Sequence, residues 1–133
     1  GFGAQEVRDY IEANELRERV HMLGYVDEPS AVKLLSGSAG LLFPSLYEGF
    51  GLPLLDAMAV GIPILTSRAP WAQEIVGDAA ILVDPQSEEE IAKGILNLAQ
   101  APQGKDHTYA GRLEKFSWDA CARATRDVLP SLF

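Results

Sequence analysis

The chain has 133 residues, is 47% hydrophobic and carries a formal charge of −8. That is one ordinary domain's worth of chain with enough apolar content for a core, which excludes a disordered tail, and its scattered Lys and Arg form no basic stripe, which excludes a nucleic-acid partner. The lone cysteine, Cys121, cannot close an internal disulfide and no Cys/His cluster has zinc spacing, so a reducing, cytoplasmic compartment and no metal are expected. Cys121 itself is expected to be a small buried hydrophobe on a helix. No apolar run has membrane-spanning length, so no transmembrane segment is expected.

In chain order, Gly1-Phe2-Gly3 reads as the tail of a preceding strand-loop, its Gly-x-Gly more often a mere turn than a phosphate contact. Ala4 to Leu16 is polar, with Val7, Tyr10, Ile11 and Leu16 at near-helical spacing, and predicts an amphipathic surface helix. Val20 to Leu23 is a strand candidate ending at Gly24-Tyr25-Val26, with His21 a structural residue alternating among core positions. Tyr25 reads equally as a half-buried aromatic or as part of a binding loop, because loops at strand carboxyl ends favour both. Asp27 or Pro29 opens a helix through Ser38 with Val32, Leu34 and Leu35 facing inward.

A strand from Leu41 to Pro44 leads into the stretch around which the chain is organised, Phe43 to Gly61. A polar loop carries Glu48 between Tyr47 and two glycines, and a helix of about two turns begins at Pro53. Proline suits the first helical position, Gly61 the residue past the end, and Pro63 forbids resumption. The unpaired N–H groups of Gly49 to Leu52 then lie at a strand's carboxyl end, where open parallel sheets bind ligands and helix N-termini attract phosphate.

Pro63 to Ser67 is an apolar strand too continuous for a sheet with one wet face. Arg68 reads as a solvated loop charge sooner than as a phosphate or acceptor contact, and Trp71 to Val76 as a short helix closed by Gly77. Ala79 to Val83 is the last strand, stopped by Asp84-Pro85. Ser87 with Glu90 forms a capping box for a helix running to Ala99. Closing helices fill about 105–133, one from Tyr109 to Phe116 and one capped by Ser117, with Trp118, Val128, Leu132 and Phe133 in want of a partner. This alternation predicts an α/β fold, a Rossmann-like parallel sheet of about four strands with helices on both faces. In the strand order 3-2-1-4-5-6 these four would be the third to sixth, leaving a gap beside the Leu41 strand.

Glu48-Gly49-Phe50-Gly51-Leu52, an acidic residue eight positions after the Glu, then Ala57-Met58-Ala59 and Gly61-Ile62-Pro63, resembles the nucleotide-sugar loop of family-4-type (group 1) retaining glycosyltransferases of the GT-B fold. The second acidic residue is Asp56, one methylene shorter than the family's Glu. Val20 to Val26 and Gly77 to Pro85 resemble flanking strands of the same family, so the likeness covers nearly the whole chain.

The resemblance implies a nucleotide-sugar-binding domain over 1–133 whose donor is a nucleotide diphosphate sugar and which needs no metal or other cofactor. Glu48 would be catalytic, bonding the sugar's hydroxyls. Gly49, Phe50, Gly51 and Leu52 would meet sugar and diphosphate oxygens, Asp56 the ribose, and Tyr25 and Val26 the base. It also implies a partner, an amino-terminal Rossmann-like domain, because the Arg and Lys that hold the diphosphate early in the family's second domain are not found here. The chain is therefore expected to be an inactive carboxyl-terminal piece of a longer, cytoplasmic enzyme, peripheral to the inner membrane at most. Two alternatives share the architecture: another enzyme such as a nucleotide-sugar epimerase or phosphorylase, and a non-catalytic nucleotide-sugar-binding module.

Overall fold

The computed structural model describes residues 3–100 and 109–129. The chain divides into two compact units, Gly1–Ala31 and Val32–Phe133.

The first unit holds helix α1 (Ala4–Ala13) and the start of α2 (Glu28–Ser36). Of the apolar residues on α1 only Ile11 is buried, and the chain leaves the helix through Leu16 N–H to the Ile11 carbonyl at 2.9 Å. Val20 to Leu23 does not form the expected strand, and Val20, His21, Met22 and Leu23 are all exposed. An apolar run becomes a strand only when a neighbour takes its backbone groups, and no ladder reaches this one among the described residues. The Asp27 side chain caps α2, accepting the Ser30 N–H at 2.9 Å and the Ser30 hydroxyl at 3.1 Å. Those bonds, the backbone one foremost, hold the Asp27 carboxyl below its ordinary range.

The second unit is a parallel sheet of β1 (Leu41–Phe43), β2 (Ile64–Ser67) and β3 (Ile81–Val83) in that order. Helices cover both faces, as the sequence predicts, and every residue of the central β2 is buried. Ile64 enters one core cluster with Leu54 and Met58 of α3 (Leu52–Val60) and Ile75 of α4 (Pro70–Val76). Leu65, pointing the other way, packs with Val83 and with Leu98 of α5 (Glu88–Ala99). Gly94 brings α5 close: a Cβ there would sit 2.5 Å from Leu65 Cδ1 and 3.0 Å from Val83 Cγ1.

On α2 only Leu35 packs against this core, whereas Val32 and Leu34 are half exposed rather than inward. Helical spacing marked an apolar stripe, but not how much of it a partner would cover. The closing segment comprises α6 (Ala110–Leu113), a 3₁₀ turn (Glu114–Phe116) and α7 (Trp118–Val128). Tyr109 is fully buried and donates its hydroxyl to the Ala79 carbonyl at 3.0 Å. Ser117 caps α7 as expected, accepting the Ala120 N–H at 3.1 Å. No residue of α7 is buried, so Trp118 is exposed as foreseen, and Cys121 is exposed rather than buried because its helix has no core-facing side. Leu132 and Phe133 lie outside the described residues.

Candidate functional site

The chain leaves β1 at Phe43, crosses a loop from Pro44 to Gly51 and enters α3 at Leu52. Pro53 stands one place inside the helix start, and Gly61 closes it with φ 81° and its N–H on the Ala57 carbonyl at 2.9 Å. At the loop's far end Gly51 has φ 94° and lies over Trp71, where a Cβ would come 3.0 Å from the indole ring. Both facts require glycine there. Trp71 in turn meets Phe43 edge-on at 6.3 Å, and its indole N–H is buried without a hydrogen-bond partner among the described residues.

The near end is tied by β2. Thr66 Oγ1 donates to the Phe43 carbonyl at 2.9 Å, and Ser67 Oγ donates to the Ser45 carbonyl. In the middle, Leu46 and Tyr47 are exposed, and Phe50 meets Phe116 of the 3₁₀ turn edge-on at 6.0 Å.

Glu48 is half buried, and its carboxylate has no hydrogen bond or ion pair among the described residues. The N–H groups of Gly49, Phe50 and Gly51 likewise have no backbone acceptor among them. The loop thus presents one carboxylate and a run of unpaired amide donors at the carboxyl edge of a parallel sheet. Asp56 is the fifth residue of α3, not part of its first turn, and is exposed. It lies one turn behind Leu52, which is also exposed, so the two share a face. Tyr25 and Val26 belong to the first unit. Tyr25 is 94% exposed rather than half buried, and Val26 is half buried.

Arg68 is not the free loop charge that its position suggests. Its guanidinium donates to Glu90 Oε2 at 2.8 Å and to the Leu82 carbonyl at 3.2 Å. The capping box is accordingly half made: Ser87 Oγ accepts the Glu90 N–H at 3.2 Å, but the Glu90 carboxylate turns to the Asp84 N–H at 3.0 Å and to Arg68. Those two bonds, the Asp84 amide foremost, hold the pKa of the Glu90 carboxyl below its ordinary range. The Asp84 amide and the Arg68 guanidinium take the place of the Ser87 N–H that a full capping box would use, and that N–H goes to the Asp84 carbonyl instead.

Residues that sequence reasoning passed over are Thr66 and Ser67, read only as strand, and Arg112. The available signal was two hydroxyls closing an otherwise apolar strand. Arg112 Nε donates to the Ile75 carbonyl at 2.7 Å and Nη2 to the Glu74 carbonyl at 2.6 Å, closing the end of α4. No three His, Cys, Asp or Glu side chains converge as a metal site among the described residues, and no helix there is long and apolar enough to cross a membrane.

Comparison with known proteins places the chain in a family. Residues 1–115 match the family described as glycosyl transferases group 1. The chain is 35% identical over 109 residues to O-antigen chain mannosyltransferase B of Escherichia coli, covering 80% of this chain and 29% of that protein. It is 34% identical over 113 residues to an MMP alpha-(1->4)-mannosyltransferase of Mycolicibacterium hassiacum, covering 80% of this chain and 28% of that one. An uncharacterized glycosyltransferase of Methanocaldococcus jannaschii is 31% identical over 140 aligned positions, 95% of this chain and 35% of its own length. The chain thus spans about a third or less of these relatives. With the family matched over most of its residues and the α/β fold in place, the chain belongs to the group 1 glycosyltransferases.

Proposed function

We propose that this chain is the donor-binding part of an enzyme that transfers a hexosyl group from a nucleotide diphosphate sugar to an acceptor with retention at the anomeric carbon. The observation that carries this is the loop after β1, where Glu48 and the amides of Gly49 to Gly51 stand without partners among the described residues. Glu48 would accept hydrogen bonds from the sugar's hydroxyls. The amides of Gly49, Phe50, Gly51 and Leu52 would meet sugar and diphosphate oxygens as charge leaves with the nucleotide. Tyr25 and Val26 are proposed for the base on the resemblance alone. The nucleotide sugar is substrate, and no resident metal or cofactor is invoked.

The relatives from Escherichia coli and Mycolicibacterium hassiacum are named as mannosyltransferases, so mannose is the first sugar to test. The acceptor site and the far side of the cleft are proposed to come from a second Rossmann-like domain outside these 133 residues. A cytoplasmic setting is part of this proposal, and the lone cysteine, which makes no disulfide within the chain, is in keeping with a reducing compartment.

The natural polypeptide carrying this chain, offered mannose and glucose donors on guanosine and uridine carriers, should release nucleotide from at least one of them in an acceptor-dependent way. The 133-residue chain alone should transfer no sugar. Acceptor-independent inertness of the natural polypeptide toward every donor would overturn the proposal, and transfer by the isolated chain would place the acceptor site within it.

Asp56 is proposed to bind the ribose. Asp56→Ala should weaken nucleotide affinity by about tenfold, the value of one hydrogen bond to a charged group, and Asp56→Glu should keep or tighten it. Because Asp56 stands beyond the first turn of α3, it gains little from the helix's positive end, and the Ala variant should melt normally. An Ala variant that melts early yet binds normally removes Asp56 from the site.

A further inference from the structure

Thr66 and Ser67 are adjacent on β2, and both are completely buried. Ile64 and Leu65 before them serve the two core clusters, and an apolar pair could have completed the strand without burying hydroxyls. A buried hydroxyl is unfavourable unless it is bonded, so the destination of the bonds shows what the hydroxyls are for. Both go to one short segment, the Phe43 carbonyl before Pro44 and the Ser45 carbonyl after it.

The β1–β2 ladder ends at the pair Phe43 and Thr66. Pro44 has no N–H with which to continue it. The two side chains take over where the ladder stops and extend the attachment of the chain to β2 by two residues. No further hydrogen bond anchors residues 45–50 among those described, and the next is the Leu54 N–H on the Gly51 carbonyl at 2.9 Å. The path that carries Glu48 is therefore fixed at its start by hydroxyls and at its end by Gly51 over Trp71.

We propose that Ser67, assisted by Thr66, is a positioning residue for the donor loop: its hydroxyl sets the direction in which the chain leaves β1 and so where Glu48 and the Gly49 to Leu52 amides stand. This rests on the donor-binding role of the loop proposed above. It goes further in assigning a role to a side chain on another strand.

The test compares wild type, Ser67→Ala and Ser67→Thr with Tyr109→Phe, which also loses a buried hydroxyl bond but far along the chain. Amide hydrogen exchange of Gly49 to Leu52 is followed in each, with melting temperature and the affinity of the natural polypeptide for GDP-mannose. Ser67→Ala should speed loop exchange and weaken donor binding by about tenfold, corresponding to one misdirected hydrogen bond to a charged group. Ser67→Thr, which keeps the hydroxyl, should restore both, and Tyr109→Phe should lower the melting temperature alone.

Wild-type loop exchange and affinity in Ser67→Ala would overturn the proposal, as would a Tyr109→Phe variant that behaves identically to Ser67→Ala. If the wild type binds no nucleotide sugar, the donor-binding role fails, and loop exchange still decides whether Ser67 holds the segment. Should Ser67→Ala not fold, Thr66→Val, which removes only the bond to the Phe43 carbonyl, carries the same expectation for exchange.

Discussion

Glu48→Gln in the natural polypeptide is expected to cut turnover tenfold or more and to leave the melting temperature where it was. The carboxylate is half buried and bonds to no described residue, so the fold loses no partner when the charge is removed. What changes is the strength of bonds to a donor. An ionised acceptor contributes roughly 1.5 to 3 kcal/mol per hydrogen bond, against about 1 for a neutral amide, and the substituted side chain turns one acceptor into a donor. At about 1.4 kcal/mol per factor of ten, loss of even one such bond in the transition state accounts for the effect. Glu48→Asp, which keeps the charge but withdraws it by a methylene, should fall between the two. Steady-state rates with saturating donor provide the measurement, and a near-normal rate for the Gln variant would make Glu48 a structural residue of the loop.

The parts of this site that could be read from the sequence are those fixed by local chemistry. Pro53 and Gly61 bracket α3 because missing N–H groups and positive φ are properties of single residues, and Ser117 caps α7 for a similar reason. The buried character of β2 was legible because an unbroken apolar run has no wet face. Val20 to Leu23 has the same apolar look without the same outcome, since a strand is made by its neighbour and not by its own side chains.

The framework around the loop was illegible for a different reason. Ser67 reaches Ser45 across 22 residues, Arg68 reaches Glu90 across 22, and Arg112 reaches Ile75 across 37. Such separations have no local period or spacing to betray them. Arg68 therefore resembled any solvated charge until the β2 and α5 ends came together. A smaller difference concerns α3, which starts at Leu52 and not at Pro53, so that Asp56 stands fifth in the helix, beyond the first turn where the helix-end attraction acts.

The largest expected loss of stability belongs to Gly77→Ala. Gly77 closes α4 with φ 58° and ψ −131°, a conformation open essentially to glycine alone, and its N–H bonds the Gln73 carbonyl. A Cβ there would lie 2.5 Å from Arg112 Nη1 and 2.7 Å from its Cζ, so the guanidinium must withdraw from the Glu74 and Ile75 carbonyls that it caps. Backbone strain of about 1 to 3 kcal/mol and the loss of charge-assisted bonds, discounted because Arg112 is partly solvated, together give about 3 kcal/mol. For a chain of this size that lowers the melting temperature by roughly 10 °C. Arg112→Ala alone should cost about half as much, and adding Gly77→Ala to it should cost only the strain, because the clash has already been removed. The double variant should therefore be more stable than the sum of the single losses predicts. Strict additivity in thermal unfolding would show that Arg112 and Gly77 act independently. The pair also bears on the loop: four residues after Arg112, Phe116 rests edge-on against Phe50, so the arginine that closes α4 also anchors the segment against which the donor loop leans.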